Sequence, residues 1–130
     1  MIARTGLMLT LGLILAGCDQ RFNDEAVEGL AGIPVPASAT QTVDRPKGEF
    51  FRIRASKDGV AEWYARQLPS GRDFRNWQWC VYRPGQFEGY TFYDPSIREV
   101  LDVTIIEEGG ETGISINIAP LIPRDLERCS

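Results

Sequence analysis

Toward its C-terminal end the chain alternates apolar and polar residues with a period of two. Leu101, Val103 and Ile105 are separated by Asp102 and Thr104, and Ile114, Ile116 and Ile118 by Ser115 and Asn117. Such alternation puts one row on a buried face and the other on a wet one, so strands are predicted over 99–107 and 112–119, joined through Glu108-Gly109-Gly110. Two more strands are predicted over 74–82 and 86–93, with Pro84-Gly85 and Asp94-Pro95-Ser96 as turns. Upstream, 39–43 reads as an edge strand, and Phe51, Ile53 and Ala55 share one face of a strand over 49–55. Between these segments the period changes. Val60, Ala61, Tyr64, Ala65 and Leu68 recur at helical spacing, Ser56 or Asp58 can cap the run, and Pro69-Ser70-Gly71 stops it. One helix on one face of a curved antiparallel sheet of about five or six strands satisfies all of these elements, an α+β domain of two layers. If Trp77, Trp79 and Val81 face that helix, Cys80 and Tyr82 point outward. An extended tail containing Pro120 and Pro123 then lays Leu121, Ile122 and Leu126 over Tyr82 and the row Tyr90, Phe92.

A second hydropathy feature lies at the N-terminus, where Arg4 precedes an apolar run from Leu7 to Gly17 that Asp19, Gln20 and Arg21 end. A spanning helix needs roughly 20 apolar residues, so this run is too short to cross a bilayer and has the layout of a secretory signal. Its last residues, Leu15-Ala16-Gly17-Cys18, resemble the lipobox of bacterial lipoproteins. The resemblance implies cleavage before Cys18, a diacylglyceryl thioether on its thiol and a further acyl chain on the freed amine. Two or three chains, at about 0.8 kcal/mol per buried methylene, make the attachment effectively permanent. It also implies the periplasmic side of a bacterial envelope membrane. Asp19 resembles the signal for retention in the inner membrane of enterobacteria, a rule that varies between groups, so inner and outer membrane both stay open. The expected organisation is a signal peptide over 1–17, a lipidated cysteine and flexible tether over 18–39, and a single periplasmic domain over 40–130. As a coil, that tether reaches roughly 25 Å.

With Cys18 assigned to lipid, Cys80 and Cys129 remain in an oxidising compartment, and a disulfide between them is the preferred reading over free thiols or a bridge between two molecules. The chain also resembles a widespread set of small envelope lipoproteins, largely without assigned function. Ile33-Pro34-Val35-Pro36-Ala37, Phe51-Arg52-Ile53, Val60-Ala61-Glu62-Trp63-Tyr64 and Leu68-Pro69 carry that likeness. It implies the same architecture and no catalytic residue.

Composition narrows the chemistry. The 130 residues include no histidine, which removes the commonest general base and the commonest zinc ligand together. Lys47 and Lys57 are the only lysines and neither has an apolar setting, and no Cys-x-x-Cys pair is present. Asp94, Glu99 and Asp102 are the nearest approach to a carboxylate pair for glycoside hydrolysis, yet Asp94 opens a turn and Asp102 alternates with an apolar row. Glu107, Glu108 and Glu111 around Gly109-Gly110 lack the regular oxygen spacing of a calcium loop. The expectation is therefore no enzyme, no cofactor and no metal. Net charge is −4, and Arg45, Lys47, Arg52 and Arg54 are interleaved with acids, which argues against nucleic acid. Partner-binding candidates are Arg52 and Arg54 on one strand face, the rings of Tyr90 and Phe92, and the acidic tip at Glu107 and Glu108. The expected function is a lipid-anchored binding or accessory module for another envelope protein. The alternative is a small inhibitor or immunity-type lipoprotein that blocks an envelope-targeting enzyme, with a carboxylate hydrolase as a distant third.

Overall fold

The computed structural model describes residues 21–129; the predicted signal segment over 1–17 and Cys18 lie outside them. Strands β1 (Ala26–Glu28) and β2 (Pro34–Pro36) form a small antiparallel pair. Strands β3 (Thr40–Arg45) and β4 (Gly48–Ile53) form a hairpin, helix α1 (Lys57–Gln67) follows, and then come β5 (Gln78–Arg83), β6 (Glu88–Asp94), β7 (Glu99–Glu108) and β8 (Glu111–Pro120). A short helix α2 (Pro123–Arg128) closes the chain. The main sheet is antiparallel throughout, with six strands in the order β3-β4-β8-β7-β6-β5. The fold is α+β in two layers, as the alternation of Leu101, Val103 and Ile105 with Asp102 and Thr104 implies.

Local chemistry explains the elements. The Ser56 side chain caps α1 by accepting the Gly59 N–H at 3.1 Å, and Thr112 Oγ1, fully buried, donates to the Ala55 carbonyl at 2.6 Å to hold the helix entry against β8. Val60, Ala61, Tyr64 and Leu68 face the sheet as the spacing predicts. Ala65 does not: it is exposed, and the buried residue is Trp63. The inner row runs Phe51, Ile114, Ile105 and, one register pair on, Ile116, Val103 and Tyr90, all of it in one core with α1. At the β7–β8 tip Gly109 and Gly110 take φ of 56° and 85°, the two positive values that a two-residue type I′ hairpin requires.

Three expectations need correction. The stretch over 18–39 is not a tether as far as 39. Ile33 and Val35 are fully buried in the main core, Trp63 Nε1 donates to the Asp24 carbonyl at 2.8 Å, and Asp24 accepts from the Ser38 N–H at 2.8 Å. The domain therefore begins near Phe22, whose ring meets Trp63 edge-on with centroids 6.4 Å apart. The second correction is in β5, where the register slips between Trp79 and Val81. This bulge at Cys80 turns Tyr82 to the inner face opposite Tyr90 and puts Val81 outside opposite Thr91, the reverse of strict alternation. Third, the tail is not extended: Pro123 starts α2, where its missing N–H costs nothing. Ile122 and Leu126 stay about half exposed, and neither Tyr90 nor Phe92 lies beneath the tail, since both rings sit on the inner face.

Cys80 and Cys129 are bonded, with Cα atoms 4.4 Å apart across a sequence separation of 49. The bond ties the residue after α2 to the edge strand β5, so the chain leaving β8 spans the width of β7 and β6.

Candidate functional site

Chemistry-bearing side chains collect at the end of the sheet where the β7–β8 hairpin turns, β4 ends and α1 begins. Alternation along β4 sends Ile53 inward and Arg52 outward, and Arg54 follows just past the strand. The hairpin carries Glu107, Glu108 and Glu111 to the same place. Arg52 Nη2 meets Glu108 Oε2 at 3.1 Å, an exposed ion pair worth about 0–1 kcal/mol. An open depression of roughly 670 Å³ runs from Arg52 and Arg54 past Thr40 and Thr42 to Glu111. A second, of roughly 540 Å³ and equally open, lies on the other side of the tip between Glu107, Lys57 and Phe87. Phe87 is 60% exposed, an aromatic anchor with no cover. Of the predicted binding residues, Arg52, Arg54, Glu107 and Glu108 are thus brought together.

Tyr90 and Phe92 are not part of this surface. They are 3% and 0% exposed, and Trp79 packs edge-on against both rings. Core packing absorbs them because β6 lies between two strands and its inner row faces α1. Burial, with the Glu88 charge second, raises the Tyr90 pKa. Beside it Tyr82 donates to Glu88 at 2.5 Å, and that bond, ahead of burial, pushes its pKa up to about 12. Glu88 also faces Lys57 at 3.5 Å, and Lys57 donates to the Gly85 carbonyl at 2.6 Å, so the start of α1 is clamped to the β5–β6 turn.

The outer face holds a polar network of its own. Arg83 Nε donates to Thr91 Oγ1 at 3.1 Å and Nη2 to Thr104 Oγ1 at 3.2 Å, Nη2 lies 3.7 Å from Asp102, and Thr91 donates to Asp102 at 2.6 Å. Gly89 makes room for it, since a Cβ there would lie 2.7 Å from Arg83 Nη2 and 2.0 Å from the Val103 carbonyl. Asp102 is therefore occupied structurally. Asp94 sits on the opposite face, where Ser96 donates to it at 2.6 Å and holds its carboxyl below the usual range. The two carboxylates cannot flank one sugar.

Lys57, Phe87 and Arg83 are not among the predicted binding residues. Lys57 is placed by the start of α1, Phe87 by the β5–β6 turn, and Arg83 by the end of β5 beyond its bulge. Among the described residues no three His, Cys, Asp or Glu side chains gather within reach of one metal ion, and no helix is long and apolar enough to cross a membrane. No family model, no curated protein and no solved structure matches this chain.

Proposed function

We propose that this protein is a lipid-anchored module of a bacterial envelope that recognises another envelope protein through the hairpin end of its sheet. The observation that carries the recognition is the convergence there of Arg52, Arg54, Glu107, Glu108 and the uncovered Phe87 around two open depressions. An aromatic anchor with arginine and carboxylate around it suits a protein surface better than a small molecule, which calls for an enclosed, mostly apolar pocket. The anchor is the Leu15-Ala16-Gly17-Cys18 segment, whose resemblance to a lipobox supports the membrane location. Mixed charge at the tip favours this reading over an acidic plug in the basic cleft of an enzyme, because Glu108 is already paired with Arg52.

The test is photo-crosslinking in the anchored protein from Arg54 and Glu107, with Ala65 on α1 as reference. One envelope protein captured from both tip positions and not from Ala65, whose binding to the purified protein falls on Arg54→Glu, supports the reading. Tight inhibition of an enzyme by the unanchored domain, lost on Glu107→Lys, supports the inhibitor instead. No product specific to either tip position removes recognition at this end.

A further inference from the structure

The position of Phe22 sets how the domain stands on the membrane. Its ring packs on Trp63, its carbonyl accepts from Arg66 Nη2 at 2.7 Å, and Arg21 Nε lies 3.9 Å from Glu62. Glu62 and Arg66 are exposed on α1 while Trp63 is buried in the core, so the described chain begins along the flank of α1, where its buried side meets its exposed one. Between Arg21 and Cys18 lie only Asp19 and Gln20. Three residue steps, even fully extended, span at most about 10 Å.

We propose that the exposed side of α1 rests against the lipid headgroups, with the outer face of the sheet directed away from the bilayer. This rests on lipidation at Cys18. If the thiol carries acyl chains, its Cα lies at the headgroup level, and a link of about 10 Å cannot lift the domain clear by its own thickness, since α1 alone is about 10 Å across. The helix side therefore lies nearest the lipid. The outer face, with Asn117, Arg83 and Asp102, lies beyond both layers and is the side a partner reaches freely. Shortness of the link holds this orientation and charge does not: Arg21 and Arg66 are matched on that side of α1 by Glu62 and Asp58. It should accordingly survive high salt.

The experiment uses the full-length lipidated protein in phosphatidylethanolamine–phosphatidylglycerol vesicles. A clickable fluorophore is placed by Ala65→p-azidophenylalanine or Asn117→p-azidophenylalanine, both positions being exposed, and nitroxide-headgroup lipid is the quencher. The mass of the Cys18 peptide is measured on the same sample. Quenching several-fold stronger at Ala65 than at Asn117, unchanged by salt, is the expected result. An insertion of about twelve Gly and Ser residues after Gln20, reaching roughly 20 Å as a coil, should erase the difference. An acylated Cys18 with equal quenching at the two positions, or stronger quenching at Asn117, overturns the orientation and leaves the anchor standing. An unmodified Cys18 overturns both.

Discussion

Two side chains test how tightly single residues are fitted. The Tyr64 hydroxyl is buried without a hydrogen-bond partner, and burial drives its pKa far up. An unsatisfied buried hydroxyl destabilises by about 1–3 kcal/mol, so Tyr64→Phe should leave stability unchanged or raise it by about 1 kcal/mol, read as the urea midpoint. Gly89 behaves in the opposite way. A methyl group there collides with the backbone of β7 at the Val103 carbonyl, which is not a movable side chain, so Gly89→Ala should lower stability by about 2 kcal/mol or more on the same assay. Tyr64 was legible as a core residue from its spacing in the helix. The need for glycine at 89 was not, because it depends on Val103 and Arg83, which only strand pairing brings alongside.

At the scale of elements, the N-terminal pair and the disulfide carry the predictions. If the domain began at 40, a chain starting there would fold, but β2 contributes Ile33 and Val35 to the core and Asp24 fastens the segment to Ser38. Loss of one large buried aliphatic costs about 2–5 kcal/mol, so the chain over 40–130 should be unfolded by circular dichroism while that over 21–130 folds. Pro34 and Pro36 read as linker residues in isolation; they pair in β2 because an edge ladder tolerates missing donors. For the Cys80–Cys129 bond, a loop closed across 49 residues constrains the unfolded chain by about 4 kcal/mol in the chain-entropy picture. Cys80→Ala with Cys129→Ala should lower stability by about 2–4 kcal/mol, and α2 should lose its amide protection first in hydrogen exchange.

The whole molecule should respond to pH at both extremes. Tyr82, Tyr90 and Tyr64 have pKa values raised above the ordinary 10, Tyr82 to about 12. Between those limits the unfolded chain gives up phenolic protons that the folded one keeps, so their contribution is whole below pH 10 and is lost as pH climbs through the folded values. Asp24 and Asp94 are lowered by their bonds to Ser38 and Ser96, so their contribution is present above the unfolded value of 3.8 and is lost as pH falls through the folded ones. Thermal midpoints across pH should therefore show a plateau with losses above about 10 and below about 4, the acid loss weakened by Asp24→Asn.

Periodicity is a local property, so the alternating rows of β7 and β8, the helix with its Ser56 cap, the glycine turn at 109–110 and the α+β class were all readable along the chain. The same holds for the lipobox-like segment and for the residue types that make the tip charged. Which strands become neighbours is non-local. The placement of β4 beside β8, the bulge that turns Tyr82 inward, the burial of Tyr90 and Phe92, and the gathering of Arg52, Arg54 and Glu108 with Lys57 and Phe87 depend on contacts between residues far apart in the chain. Those contacts form because α1 can cover only one face of the sheet, and the core on that face takes in the Tyr90 and Phe92 rings that the pairing delivers beneath it, whatever role the residue type alone suggests.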